Sequence, residues 1–215
     1  SLPSVSFTPA SQLTDLSTGA FFGCTLLGTV TNVPDELTII NEYTFYKCRG
    51  LKSFEIGDLI TQIDSFAFYG CELLGGPLKF PIELTSIGES AFQGCFQLSG
   101  SLEFPDSVTK VDSKAFMGCE KLNGHVTFGR DITTIGDQAF ADCSGFIEYL
   151  TFPERLYNSQ KLSIGQAAFY GCSGFKGDLI LPKGASLSKD AFHGCSGFDG
   201  KLDLYDMKSV PEGAF

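Results

Sequence analysis

Eight times along this 215-residue chain the same phrase returns, and every cysteine lies within it. It reads Ala20-Phe21-Phe22-Gly23-Cys24 near the start, Ala91-Phe92-Gln93-Gly94-Cys95 in the middle and Ala191-Phe192-His193-Gly194-Cys195 near the end, with Ala214-Phe215 opening a ninth copy. The cysteines, at 24, 48, 71, 95, 119, 143, 172 and 195, are separated by 24, 23, 24, 24, 24, 29 and 23 residues. A fixed period in the twenties marks a solenoid, in which each repeat supplies one coil and buries its apolar edge only against its neighbours. The unbroken period predicts one elongated domain over 1–215, with about nine repeats.

One coil can be read between Cys95 and Cys119. Ser101 to Phe104 alternates, placing Leu102 and Phe104 on one side and Ser101 and Glu103 on the other, as a short half-buried strand does. Pro105 follows and ends it, as Pro81, Pro153 and Pro182 do in their own coils. A second apolar pair, Val108 and Val111, predicts a short return strand. Asp112 then stands where other coils carry Asn41, Asp64, Gly88, Gly136, Gly165 or Ser188. These are mostly helix N-cap types, so the following Ala-Phe-x-Gly-Cys is predicted to form one or two helical turns, with glycine at a left-handed exit. The phenylalanine of that phrase, repeated from Phe21 to Phe192, is the expected core ladder. Full burial of each ring is worth roughly 1.5–3 kcal/mol before entropy is subtracted.

Eight cysteines invite a disulfide reading, but the ladder geometry opposes it. Equivalent side chains on stacked coils point the same way at the strand spacing of about 4.8 Å. Their Cβ atoms are then farther apart than the roughly 3.5–4.5 Å of a disulfide. A ladder of buried free thiols is expected instead. Zinc is disfavoured because no Cys-x-x-Cys occurs and the only histidines are His125 and His193; no other cofactor is expected. The net charge of −10 opposes nucleic acid and anionic membrane surfaces as partners. No apolar run approaches the roughly 18 residues of a membrane span, and the first residues lack the pattern of a signal peptide.

The repeated phrase and its spacing resemble the BspA-like leucine-rich repeats, over essentially the whole chain. That resemblance implies an α/β solenoid: a right-handed superhelix with a parallel concave β-sheet, short return strands and one- to two-turn helices. It also implies a surface-exposed or secreted protein that binds host matrix or cell-surface proteins, with no catalytic residues. An intracellular scaffold or spacer is the alternative. Neither end carries an amphipathic cap, so the chain is expected to be a piece of a longer array.

On this fold the outward residues of the main strand are the candidate recognition surface. The binding candidates are Lys79, Glu103, His125, Thr127, Tyr149, Thr151, Asp178 and Ile180. His125, Tyr149 and Ile180 are the most pointed, since aromatic or apolar groups stand there without a core reason, as interface anchors do. Acid–base catalysis by Glu103, His125, Asp178 and Lys201 is disfavoured, because an open sheet offers no excluded water. The long step between Cys143 and Cys172 places five extra residues after Pro153, expected to bulge outward as a tolerated surface insertion; a protrusion that adds Arg155 and Tyr157 to a partner contact is the alternative.

Overall fold

The structure, a computed structural model, describes residues 3–8, 12–154, 156 and 160–215. The predicted Phe ladder is its axis. Phe21, Phe45, Phe68, Phe92, Phe116, Phe140, Phe169, Phe192 and Phe215 stack ring on ring, with centroids 5.0–5.7 Å apart and planes within 13° of parallel. A second stack, Phe80-Phe104-Phe128-Phe152, meets the first edge to face. Leu27, Leu51, Leu74, Leu98 and Leu122 fill the remaining corner, which Phe146 and Phe175 continue. One core cluster runs from Leu16 to Phe192.

The predicted helices are absent: among the described residues there is none, and the α/β assignment is corrected to a parallel β-solenoid. The reason lies in where alternate amides go. The N–H groups of Phe66, Phe68 and Gly70 donate to the carbonyls of Glu89, Ala91 and Gln93 on the next coil, at 2.8 Å each. The intervening Ala67, Tyr69 and Cys71 donate back three residues, to Asp64, Phe66 and Phe68, at 3.1–3.3 Å. A helix would need every amide to bond within its own segment. Here half of them tie coils together, and the segment becomes a chain of turns. Left-handed residues punctuate it two places before and two after each ladder Phe, as at Lys114 (φ 58°) and Gly118 (φ 75°). The glycine exit was therefore read correctly, but it closes a turn. The supposed N-cap residues open one: Asn41, Asp64, Gly88, Asp112, Gly136 and Gly165 accept the first turn bond through their carbonyls. At Gly136 the neighbouring coil passes so near that a Cβ would stand 2.3 Å from the Ser113 nitrogen.

The sheet expectation is also revised. The return strands form the continuous ladder, seven parallel strands from Ile39–Ile40 to Ser186–Leu187. A hydroxyl row reinforces it, with Thr61, Thr85, Thr109 and Thr133 each donating to the carbonyl of the threonine one coil earlier, at 2.9–3.1 Å. The main strand is broken into pieces. Leu102–Glu103, Val126–Thr127 and Leu150–Thr151 make one sheet, and Leu179–Ile180 pairs with Leu202–Asp203. Leu78–Phe80 forms no strand; Pro77 opens that segment, and Gly75–Gly76 pairs with Gln97–Leu98 instead.

The cysteines are thiols, and they do more than fill space. Cys48, Cys71, Cys95, Cys119, Cys143, Cys172 and Cys195 each donate S–H to the carbonyl of the ladder Phe one coil earlier, at 3.0–3.2 Å. That carbonyl already accepts the amide of its own coil's cysteine, so the thiol satisfies its second lone pair. The lengthened coil keeps register: Ile164 pairs with Ile135, and Phe152 and Phe169 hold their stacks. Leu156 packs on the core while Glu154, Gln160 and Lys161 are exposed. Arg155, Tyr157, Asn158 and Ser159 lie outside the described residues.

Two measurements check this packing. Phe116 is fully buried between Phe92 and Phe140, at 5.2 and 5.3 Å. Phe116→Ala should cost about 3–5 kcal/mol in urea unfolding, and protection of amides in both adjacent coils should fall with it. A loss under about 1 kcal/mol would place the ring outside the core. The thiols give a pH test. Burial pushes all seven donors up, Cys48 and Cys195 to about 12. An unfolded thiol ionises near 8.5, so above that value the unfolded chain binds fewer protons than the folded one. Stability is therefore fully present below about pH 8.5 and lost as pH rises toward the folded values, by about 1.4 kcal/mol per unit for each thiol. Cys95→Ser keeps a donor but removes one titrating group. Its alkaline slope should be shallower by about one proton; an unchanged slope would show that this thiol already ionises in the folded chain.

Candidate functional site

Outward positions on the main strand alternate with the buried Leu and Phe, so each coil offers its variable residues at the same height as its neighbour's. Glu103, Thr127 and Thr151 stand in strict register across three strands. Immediately before the Val126–Thr127 strand, His125 is held from four directions. Its amide donates to Ser101 Oγ at 3.3 Å, and its Nδ1 lies 3.1 Å from the same oxygen. Nδ1 is also 3.1 Å from Glu148 Oε2, while Nε2 is 3.3 Å from Glu103 Oε1. The imidazole thus has a carboxylate at each end, and Tyr149 stacks on its face with centroids 4.5 Å apart and planes 12° from parallel.

Beyond Tyr149 the surface opens into a groove of about 570 Å³. Tyr149, Thr151, Asp178 and Ile180 line it, over a floor of Phe152 and Pro182, and Tyr205 closes the far side. Tyr149 is 48% exposed, Ile180 42% and Tyr205 58%, so three large side chains face solvent around one hollow. The far wall is braced by charge. Lys201 Nζ lies 2.7 Å from Asp203 Oδ2, and the Tyr205 amide donates to Asp203 Oδ1 at 3.0 Å. The lysine's hydrogen bond and that amide hold the Asp203 carboxyl below the usual carboxylate range, while Asp203 pushes Lys201 up. Asp178 Oδ1 accepts the Lys201 amide at 2.7 Å.

The structure therefore brings together seven of the eight predicted residues along this strand face: Glu103, His125 and Tyr149 by contact, Thr127 and Thr151 by register, and Asp178 and Ile180 around the groove. Lys79 stands apart, on the segment that joins no strand. Sequence reasoning missed Glu148 and Tyr205. Tyr205 had a readable signal, since it occupies the place after the strand where Pro81, Pro105, Pro153 and Pro182 stand in other coils. Among the described residues no His, Cys, Asp and Glu side chains group as a metal site would require. Ring-current shifts check the arrangement: the His125 ring protons should resonate upfield of exposed histidine, and Tyr149→Leu should return them. Unshifted signals in the parent chain would separate the two rings.

Comparison with known proteins accords with this architecture. The family profile of the BspA-type leucine-rich repeat region, built on six copies, matches residues 1–123 and 85–215. No curated protein matches the chain by sequence. Among solved structures, a leucine-rich repeat protein of T. pallidum is 27% identical, with a TM-score of 0.65 over 76% of this chain and 73% of its own. A leucine-rich cell surface protein of Faecalibacterium prausnitzii A2-165 is also 27% identical, with a TM-score of 0.63; the alignment covers 81% of this chain but only 44% of that one. A leucine-rich repeat protein of Bacteroides ovatus shares the fold at 21% identity, with a TM-score of 0.61 over 99% of this chain and 72% of its own. With the profile matched from end to end on a cysteine-phased parallel solenoid, this chain belongs to the BspA-type leucine-rich repeat family.

Proposed function

We propose that this chain is a non-enzymatic, surface-exposed binding protein that recognises host proteins or cells through the strand face around Tyr149. One observation carries the reading: Tyr149, Ile180 and Tyr205 are exposed around a single groove, where the coil's own packing asks for no apolar group. Large aromatics ringed by polar groups are what interface centres use, and the braced His125 holds the Tyr149 ring in its stack at the surface. Membership in a family of repeat proteins that bind other proteins supports the same reading, and the F. prausnitzii relative is described as a cell surface protein. Among the described residues no helix is long and apolar enough to cross a membrane, and the chain is proposed to act as one repeat domain at the cell surface.

The experiment is a binding screen of the chain against immobilised host matrix proteins and mucosal cells. Tyr149→Ala should weaken the interaction by about tenfold or more, as loss of a central anchor does. Lys79→Ala, away from the groove, should leave it within about twofold. Equal binding by parent and Tyr149→Ala would remove the groove from the contact.

A further inference from the structure

The turn segment carries a second aromatic surface, on a different wall from the groove. Two positions per coil flank the ladder Phe there: one two places before it and one directly after it. The middle coils fill these places with Ser90 and Gln93, Lys114 and Met117, Gln138 and Ala141, and the last coils with Ala167 and Tyr170, Asp190 and His193, where only the Tyr170–His193 pair stacks. The first coils fill them with Phe22, Tyr43, Tyr46, Phe66 and Tyr69. The rings form two columns. Phe22, Tyr46 and Tyr69 stack at 4.7 and 5.0 Å, and Tyr43 stacks on Phe66 at 5.2 Å. Neighbouring rings of the two columns are inclined by 57–71°, which makes a shallow trough. Phe22 is 58% exposed and the other four are half-buried, covered largely by one another.

Core packing does not ask for these rings, and the backbone opposes two of them. Tyr43 and Phe66 sit at φ 58° and 59°, a region that sterics make costly for bulky side chains. The same place is filled elsewhere by glycine, serine or aspartate at no loss of register, as Gly19, Ser90 and Asp190 show. The trough's margins define what fits it. On one side Glu42, next to Tyr43 in the chain, shares a hollow with Asp64 and with Lys110, which pairs with Asp112, and the carbonyl of Glu89 accepts the Phe66 amide at 2.8 Å; among the described residues none of the carboxylates of Glu42, Asp64 and Glu89 is in a salt bridge. Lys47 already lies 5.1 Å over the Tyr46 ring, so a cation has been accommodated on this surface once. Aromatic rings beside uncompensated carboxylates favour a cation with an apolar or planar body, and guanidinium suits them better than ammonium.

We infer that Phe22, Tyr43, Tyr46, Phe66 and Tyr69 form a docking trough for a basic, arginine-bearing polypeptide segment. Its guanidinium groups lie against the rings and face Glu42, Asp64 and Glu89, and the chain's net charge of −10 adds long-range attraction. The contact is independent of the groove at Tyr149, which lies several coils away.

The test is fluorescence anisotropy on the whole chain with a labelled peptide of alternating arginine and glycine; lysine–glycine and glutamate–glycine peptides serve as comparators. The arginine peptide should bind, the lysine peptide more weakly and the glutamate peptide not at all. Tyr46→Gln with Tyr69→Gln places in two coils the residue that Gln93 already supplies in the next, so the fold should hold, as circular dichroism can verify. That double variant leaves net charge unchanged and should weaken the arginine peptide by about tenfold or more. Glu42→Gln with Glu89→Gln should weaken it separately and flatten its salt dependence. Met117→Ala, beyond the trough on the same wall, should leave the arginine peptide's affinity within about twofold. Full affinity in the Tyr46→Gln, Tyr69→Gln variant would reduce the effect to net charge and overturn the proposal. Absence of binding to the parent would overturn it too, as would a dimer of the parent, seen by sedimentation, that the double variant abolishes, for then the trough's occupant is a second copy of the chain.

Discussion

Everything in this solenoid is phased by a stack of phenylalanine rings. Nine of them lie nearly parallel, at 5.0–5.7 Å between centroids, while backbone pairing between coils wants about 4.8 Å. Aromatic rings avoid a perfect face-to-face sandwich and prefer an offset. Centroid spacing near the coil rise is what an inclined, offset stack provides, so the two requirements agree instead of competing. Once they agree, each coil must return its Ala-Phe to the same place, and the number of residues per turn is no longer free. The coil after Phe152 shows the force of this. It carries extra residues, yet Ile164 and Phe169 return to register.

The ladder creates a polar difficulty as well as an apolar core. Each ladder Phe presents its carbonyl to the interior, where a lone pair left unpaired is costly. The turn bond from its own coil satisfies one lone pair, and the thiol of the next coil reaches the other. Cysteine is nearly alone in being small enough for that slot, apolar enough to be buried and still a donor. Seven of the cysteines, Cys48 to Cys195, thus follow from the ladder carbonyls of Phe21 to Phe169. Their raised ionisation is a consequence of the same dry environment, and it argues for a structural role over a reactive one.

The sequence shows the period, the ladder and the thiols plainly because each is stated eight times. What it hides is bonding between coils. Read within one coil, the phrase around Ala115-Phe116 has an opening residue, a short run and a closing glycine, which is what a brief helix would show. Only the neighbouring coil reveals that Phe116 and Gly118 give their amides to Ala139 and Ala141, and that alternation is what makes a turn ladder. The same blindness reversed the weights of the two sheets. Threonines 61, 85, 109 and 133 look like ordinary polar residues along the chain, and their hydroxyl row exists only between coils. At the strand face, His125 and Tyr149 were legible because they break an alternation. Tyr205 was visible only as a missing proline. The trough of Tyr43, Tyr46, Phe66 and Tyr69 escaped notice because aromatics next to Phe45 and Phe68 pass for more of the same core.

A repeat array separates positions that must be constant from positions that need only be soluble, and functional difference collects in the second kind. In this chain the departures are not spread evenly. Five aromatics cluster on the turn wall in the first coils, and Gln93, Met117 and Ala141 separate them from the Tyr170–His193 pair; on the strand wall Tyr149 and Tyr205 stand in the later coils, beyond Glu103 and Thr127. Because each coil is stabilised chiefly by its immediate neighbours, a costly feature in one region is not transmitted to a distant one. The strained φ at Tyr43 and Phe66 and the exposed rings of Tyr149 and Tyr205 can therefore be carried at once, each supported by its own section of the phenylalanine stack. That local independence is what lets a fold this repetitive hold two chemically different surfaces on one core.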